Sequence, residues 1–244
     1  MWPYPKILAH RGGGKLAPEN TIAALRCGLD HGFHAVEFDV MLARDGVPVV
    51  LHDPFLGRTV NGAGHVFDYD AAELHAMDAG SWYSARFAGE PVPLFAEVVA
   101  FCRAHGIWMN IEIKPAPGYE MQTGAVVAQA TEAMFSDGAN VPLLSSFSEA
   151  ALAAARDAAP ALPRAILFDG VPSDWQARAE ALGAVAIHCD HKRLDSKTAS
   201  AIKAAGFGLF CYTVNTPQRA RVLFDMGVDA LCTDRIDLFQ SDFA

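Results

Sequence analysis

The chain has 244 residues, of which 52% are hydrophobic and 19% charged, and its formal net charge is −9. This length matches one barrel of βα units, and the ordinary composition excludes a disordered or fibrous protein. The acidic balance, with scattered lysines and arginines, argues against a nucleic-acid partner, so an anionic ligand needs local positive charge. The five cysteines lack CxxC spacing and the first residues lack the features of an export signal, so we expect a cytoplasmic protein with no membrane anchor.

Short apolar segments alternate along the chain with longer segments of helical period. This alternation predicts repeated βα units around a parallel sheet. Ile22, Leu25 and Leu29 recur at the spacing of the first helix. We therefore predict an α/β fold, a single (β/α)8 TIM barrel that takes up residues 1–244 as one domain. The eight predicted strands cover residues 6–10, 35–41, 107–114, 141–146, 164–168, 184–189, 207–214 and 229–233.

Residues 43–93 interrupt this rhythm after the second predicted strand, because a βα loop usually has only about 2–6 residues. We predict a small insertion there. Asp45-Gly46 and Asn61-Gly62 are typical of tight turns. The first turn would send the chain back toward the barrel and bring His52 to the end of the second strand.

Carboxylates occur on two neighbouring predicted strands. Because side chains alternate along a strand, Glu37 and Asp39 point to one side, and Glu112 faces the same cavity from the third strand. Acidic residues in apolar strands need a metal ion or a base as partner. Oxygen ligands suit Mg²⁺ or Ca²⁺ better than Zn²⁺, so we predict one divalent cation on these three residues. An ion-pair network with Arg11 and Lys114 is the structural alternative.

Two histidines lie at the predicted mouth of the barrel. His10 ends the first strand, and His52 follows the hairpin of the insertion. Since an unperturbed imidazole titrates near pH 6.5, such a pair can act as general acid and general base near neutral pH. Arg11 and Lys114 would offset the charge of an anionic substrate. The isolated histidines are more simply explained as surface or packing residues: His31, His34, His65, His75 and His105.

Two motifs after the first strand have structural explanations. Asn20-Thr21 is typical of a helix N-cap, and Glu19 is placed to pair with Arg11. Gly12-Gly13-Gly14 would allow backbone N–H groups to surround a phosphate oxygen, but a glycine run after a strand is a weak signal of phosphate binding.

A series of motifs extends along essentially the whole chain. In order, they are His10-Arg11-Gly12, Ala17-Pro18-Glu19-Asn20-Thr21, Glu37-Phe38-Asp39-Val40, Val50-Leu51-His52-Asp53, Asp78-Ala79-Gly80-Ser81-Trp82, Asn110-Ile111-Glu112-Ile113-Lys114, Ser145-Ser146-Phe147 and Tyr212-Thr213-Val214-Asn215. Together these motifs resemble the glycerophosphodiester phosphodiesterase family. In two places the sequence departs from the family pattern: Tyr212 stands where the family often has Trp, and Thr233-Asp234 lacks the Pro that often follows it.

The resemblance implies a barrel enzyme that hydrolyses glycerophosphodiesters, such as glycerophosphocholine, to sn-glycerol 3-phosphate and an alcohol. It implies Glu37, Asp39 and Glu112 as metal ligands, with His10 and His52 as the acid–base pair. The glycerol 2-hydroxyl would attack phosphorus to form a cyclic phosphate, which water then opens. We assign His10 as the base and His52 as the acid.

Three questions stay open from the sequence. A lysophospholipase D-like activity on lysophospholipids is a second enzymatic interpretation, although the sequence offers no amphipathic membrane anchor. A non-enzymatic interpretation is a barrel that binds glycerol phosphates without catalysing their cleavage. The insertion aromatics Trp82, Tyr83 and Phe87 would either line the rim of the substrate site or form a subunit contact in a homo-oligomer.

Overall fold

The computed structural model of the protein describes residues 2–239 and 243. Within them the structure has nine strands, which we number in chain order. Their bounds are β1 Ile7–His10, β2 Ala35–Leu42, β3 Pro48–Val50, β4 Trp108–Ile113, β5 Leu143–Ser146, β6 Arg164–Phe168, β7 Ala186–Asp190, β8 Gly208–Tyr212 and β9 Ala230–Thr233.

Eight parallel strands close into a barrel, because β1 pairs with β2 on one side and with β9 on the other. The ninth strand, β3, is antiparallel and pairs with the outer end of β2. The predicted (β/α)8 barrel is confirmed, and each of its eight predicted strands agrees with the observed bounds to within two residues. The mouth of the barrel is the end at which these parallel strands finish.

Helices surround the barrel and follow its strands. Their bounds are α1 Ile22–Asp30, α2 Ala71–His75, α3 Phe95–Ala104, α4 Glu120–Met134, α5 Glu149–Ala158, α6 Trp175–Ala181, α7 Ser196–Ala204 and α8 Pro217–Asp225. The predicted first helix is therefore observed. Several helices end at a glycine with a positive φ, as at Gly32 and Gly227, where φ is 80° and 90°. This left-handed conformation stops a helix and turns the chain into the next strand.

Because side chains alternate along the strands, some of them pack outward against the helices and others point into the barrel. Phe38 points outward from β2 and packs on Phe95 of α3, with 6.2 Å between ring centroids. Its neighbours in sequence point into the barrel. At the opposite end from the mouth, Tyr4 stacks on Trp108 with 4.6 Å between centroids, and Trp2 meets the edge of Tyr4. These aromatic rings cover the bottom of the barrel.

The segment 43–93 contains β3 and α2 and has an apolar cluster of its own. Val49, Leu51, Val66 and Leu74 are buried in this cluster. The predicted turn at Asp45-Gly46 joins β2 to β3, and the φ of Gly46 is 78°. Among the residues described, helices are all too short or too polar to cross a membrane.

Candidate active site

Three buried carboxylates from β2 and β4 form an acidic cluster at the mouth of the barrel. Glu37, Asp39 and Glu112 each offer an oxygen within 4.8 Å of the others. Strand register explains the proximity, because Asp39 lies directly opposite Glu112 in the parallel pair of β2 and β4. Two residues earlier on the same face of β2, Glu37 completes the cluster.

Positive and amide groups from neighbouring loops face the acidic cluster. Lys114 Nζ lies 3.2 Å from Asp39 Oδ1 and 3.2 Å from Glu112 Oε1. The guanidinium of Arg11 lies 3.5 Å from Asp39 on its other side. Asn20 donates a hydrogen bond from Nδ2 to Asp39 Oδ2 at 2.9 Å. More positive and hydrogen-bonding groups therefore contact Asp39 than contact either glutamate.

The three carboxyl groups differ in pKa because their surroundings differ. Burial raises the pKa of Glu37 well above its ordinary value, and the charges of Asp39 and Glu112 raise it further. Burial, followed by the charge of Asp39, raises the pKa of Glu112 to about 7. Burial also acts on Asp39, but Lys114 and Arg11 outweigh it and hold the pKa well below its usual range. At neutral pH Asp39 is ionised and Glu112 is only partly ionised, and the raised pKa of Glu37 favours its protonated form.

His10, the last residue of β1, is oriented by a carboxylate. Its Nδ1 lies 2.6 Å from Oδ1 of Asp234, and the other oxygen of that carboxylate, Oδ2, accepts a hydrogen bond from Asn215 at 3.0 Å. Burial raises the pKa of Asp234, but the hydrogen bonds outweigh burial and the pKa is about 2. Because an ionised carboxylate can only accept, Nδ1 of His10 carries a proton. Nε2 then faces the acidic cluster, 3.7 Å from Glu37 Oε2.

His52 reaches the mouth at the end of β3. The Leu51 N–H donates to the Asp39 carbonyl at 3.1 Å, which keeps this arm bonded to β2. Nδ1 of His52 lies 2.5 Å from Asp53 Oδ1, and Asp53 accepts a further hydrogen bond from Arg58. Burial lowers the pKa of His52, and the charge of Asp39 offsets only part of this effect.

An ion-pair chain joins the two sides of the mouth. Arg58 donates to both carboxylate oxygens of Glu19 at 2.8 Å. Glu19 also accepts from Arg11 at 2.5 Å, as the sequence predicted. Through this chain the loop after β1 and the insertion are held together beside His52.

The acidic cluster and the two histidines open onto one cavity of about 200 Å³. Six of the predicted site residues line it: His10, Arg11, Glu37, His52, Glu112 and Lys114. Asp39, only 1% exposed, lies behind them in the acidic cluster. The opposite wall is mostly apolar and comes from β6, β7 and β8, with Leu167, His188, Phe210 and Tyr212.

A comparison with known families agrees with this geometry. The sequence profile of the glycerophosphoryl diester phosphodiesterase family matches residues 10–238. The chain belongs to this family. The predicted class of enzyme, a glycerophosphodiester phosphodiesterase, is thereby confirmed.

Individual relatives of this phosphodiesterase family match over nearly the full chain. A glycerophosphodiester phosphodiesterase from Caldanaerobacter subterraneus subsp. tengcongensis is 32% identical, over 93% of each protein. A phosphodiesterase from Oleispira antarctica, solved in complex with the product sn-glycerol-3-phosphate, is 35% identical and covers 94% of this chain and 93% of its own, with a TM-score of 0.88. A glycerophosphodiester phosphodiesterase structure from Agrobacterium tumefaciens is 27% identical and covers 98% of this chain and 100% of its own, with a TM-score of 0.79.

The phosphodiesterase site contains residues that the sequence pattern did not assign to it. The sequence predicts a helix cap at Asn20-Thr21; Thr21 caps α1, whereas Asn20 bonds Asp39. The Asn20 φ of 59° lies in the left-handed region, outside the conformation of a helix. Asp53 and Asp234 orient the two histidines, and only their place within family motifs pointed to them.

Two other sequence features have a structural role. A side chain at Gly14 would place its Cβ 2.3 Å from the carbonyl oxygen of Asp234, so close packing explains this glycine. In the insertion, Trp82 and Phe87 both pack edge-on against Tyr83, whose hydroxyl donates to the Lys15 carbonyl. These aromatics cover the loop after β1, and other residues line the cavity.

Proposed function

We propose that the cavity at the barrel mouth hydrolyses glycerophosphodiesters to sn-glycerol 3-phosphate and an alcohol, by acid–base catalysis with His10 and His52. The observation that carries this proposal is the orientation of both rings. Each has Nδ1 bonded to a carboxylate and lies on the wall that also carries the acidic cluster. Two such imidazoles beside a charged cavity suit cleavage of a phosphodiester.

The residues present fit one divalent cation. Glu37, Asp39 and Glu112 provide oxygen ligands within 4.8 Å of one another, and burial and neighbouring carboxylates raise the pKa values of both glutamates. Oxygen-only donors favour Mg²⁺ or Ca²⁺, and we propose one of these as the cofactor. When bound, such an ion supplies Lewis-acid charge next to the phosphate.

The surroundings of the two histidines support His10 as the base. The carboxylate of Asp234 would stabilise the imidazolium that forms when His10 accepts a proton. Asp53 stabilises a charged His52 less, since Asp53 shares its charge with Arg58. Burial also lowers the pKa of His52, which makes its protonated ring a stronger acid.

The reaction then proceeds in two proton-balanced steps. Nε2 of His10 takes the proton of the glycerol 2-hydroxyl as that oxygen bonds to phosphorus, and protonated His52 gives its proton to the departing alcohol oxygen. Water then attacks the cyclic phosphate and gives a proton to His52, while His10 returns its proton to the 2-oxygen. Arg11 and Lys114 line the same cavity and offset the negative charge that develops on phosphate oxygens.

Single substitutions test these roles. His10→Ala and His52→Ala should each lower the turnover of glycerophosphocholine by at least about a hundredfold, measured as sn-glycerol 3-phosphate released to a coupled dehydrogenase. His105→Ala, at an exposed site beyond α3, is the matched control and should keep the full rate. Near wild-type rates in either site variant would remove that residue from the mechanism, and full activity after thorough removal of metal would exclude the cation.

Phe147 is a reason to test a lysophospholipid as a second substrate. Phe147 is 45% exposed and adds an apolar surface at the mouth of the cavity. Comparing glycerophosphocholine with lysophosphatidylcholine at equal concentrations distinguishes the two activities.

A barrel that only binds glycerol phosphates is not favoured, because the acidic cluster and both oriented histidines are complete.

We further propose a single domain over residues 1–244 with its insertion at 43–93, a cytoplasmic location and a homo-oligomer. The bond between Leu51 and Asp39, which ties the insertion to β2, supports the single domain. Five unpaired cysteines suit a reducing compartment. Light scattering on the purified protein measures the oligomeric state, and a monomer at all concentrations would contradict that part of the proposal.

A further inference from the structure

Within residues 2–239 and 243, His188 on β7 has no hydrogen-bond partner, although it lies on the wall of the active-site cavity. The residue has no solvent exposure. Among the residues that the structure describes, neither ring nitrogen makes a hydrogen bond. His10 and His52, by contrast, are each bonded to a carboxylate. A buried polar ring without partners destabilises the fold, so its presence calls for a group that pairs with it during function.

The surroundings of His188 restrict what that group is. The ring packs on Phe210 with 4.4 Å between centroids, and Leu167 is its register partner on β6. Burial lowers the pKa of His188 to about 3, so the ring is neutral near pH 7. A neutral imidazole has one donor and one acceptor, which matches a hydroxyl group. A phosphate or an ammonium group would find no opposite charge on this wall.

The cavity becomes more polar across from His188. Asn110 lies two residues before Glu112 on β4, deeper in the barrel, and lines the same cavity. Its buried Oδ1 also lacks a protein partner among the described residues. Two hydrogen-bonding groups thus border the deep end of a cavity whose phosphate-binding charges lie nearer the mouth.

Depth distinguishes the two halves of a glycerophosphodiester. Phe147 is 45% exposed at the mouth, whereas His188 is fully buried. The alcohol varies between substrates and suits the open end, while the glycerol moiety is common to all of them and suits the closed end. In the proposed reaction the 2-hydroxyl of glycerol attacks and the 3-position carries phosphorus. The 1-hydroxyl is then the glycerol hydroxyl that takes no part in the reaction.

We propose that His188 binds the 1-hydroxyl of the glycerol moiety and makes the enzyme selective for diesters in which that hydroxyl is free. This inference rests on the proposed hydrolysis of glycerophosphodiesters. It predicts discrimination against substrates acylated at that position, because the deep end beside Phe210 and Leu167 would have to admit the acyl chain.

The test compares two enzymes on two substrates. The substrates are glycerophosphocholine and its analogue built on propane-1,2-diol, which keeps the attacking 2-hydroxyl and lacks the 1-hydroxyl. Wild-type kcat/KM should fall at least about thirtyfold on the analogue, since a site built to bond a hydroxyl rejects its absence. His188→Phe should lower kcat/KM on glycerophosphocholine by a similar factor. On the analogue, His188→Phe should have nearly the same kcat/KM as the wild type. His188→Gln, which keeps a donor and an acceptor, should recover part of the loss, and His105→Phe should change nothing.

Equal losses for His188→Phe on both substrates, or no loss on either, would overturn the proposal. A binding experiment on the wild-type protein decides the case where His188→Phe does not fold or where neither diester is cleaved. With ¹⁵N-labelled imidazoles, sn-glycerol 3-phosphate should shift the His188 ring signals, and 2-hydroxypropyl phosphate should leave them in place. The same shift with both ligands would refute binding of the 1-hydroxyl. Failure of cleavage alone would instead refute the proposed function.

Discussion

Cation binding at the acidic cluster should release protons, so its affinity should fall as the pH is lowered. Without a cation, the pKa of Glu112 is about 7, because burial and Asp39 disfavour its charge. A ligand carboxylate must lose its proton before it can bind a metal ion. Considering Glu112 alone, the apparent Kd should rise about thirtyfold between pH 8 and pH 5.5. The raised pKa of Glu37 acts in the same direction.

The same pKa predicts how stability depends on pH. Glu112 titrates at about 7 in the folded protein and at 4.5 when unperturbed, so it stabilises the fold below pH 4.5. This contribution is lost as pH rises through 7, and the free energy of unfolding falls by about 3 kcal/mol in total. A saturating cation should therefore raise Tm by several degrees at pH 8 and by less at pH 5.5.

Calorimetry measures both effects. Titrating Mg²⁺ or Ca²⁺ into metal-free protein, in buffers of different ionisation enthalpy, gives the affinity and the number of protons released. Glu112→Gln is the matched variant, because it keeps the shape of the side chain and removes its titration. Equal affinities at pH 8 and pH 5.5, or an unchanged pH dependence in Glu112→Gln, would refute the reasoning.

Three further predictions concern orientation and packing. Asp234→Asn should leave the fold intact and lower kcat about ten- to a hundredfold with little change in KM, because His10 loses its fixed tautomer; an unchanged kcat in steady-state assays would contradict this. Asn20→Gly retains the positive φ but removes the bond to Asp39, so cation affinity measured by calorimetry should fall about tenfold, and equal affinity would argue against the bond. Phe38→Ala should cost about 3–5 kcal/mol in urea denaturation, and a loss below about 1 kcal/mol would mean that the site on β2 does not depend on this packing.

The barrel and the acidic cluster were predictable because both depend on simple periodicity. Alternation along a strand sets Glu37 and Asp39 on one face and Phe38 on the other, and the structure has this arrangement. The turn at Asp45-Gly46 was equally informative, since a short turn after a strand forces the chain to return beside it and carries His52 to the mouth.

Residues that orient the site were harder to find, because their roles depend on contacts distant in sequence. Asp234 bonds His10 across 224 positions of the chain, and no local pattern indicates such a pair. Asn20 precedes a helix, where a capping role is the simplest interpretation, and its hydrogen bond to Asp39 joins it to β2. His188 is a polar residue between apolar neighbours on β7, and only the three-dimensional structure shows that it has no hydrogen-bond partner among the described residues.

The attachment of β3 to β2 has a consequence for the speed of the reaction. Flexible loops that close over a substrate must become ordered in every cycle and open again before the product leaves. Here Leu51 and Val50 donate backbone hydrogen bonds to Asp39 and to Pro93, at 3.1 and 3.0 Å, and fix the arm that carries His52 before any substrate arrives. His52, the proposed acid, is thus preorganised by the sheet, and exchange of the Leu51 amide with solvent should be as slow in the free enzyme as in the product complex.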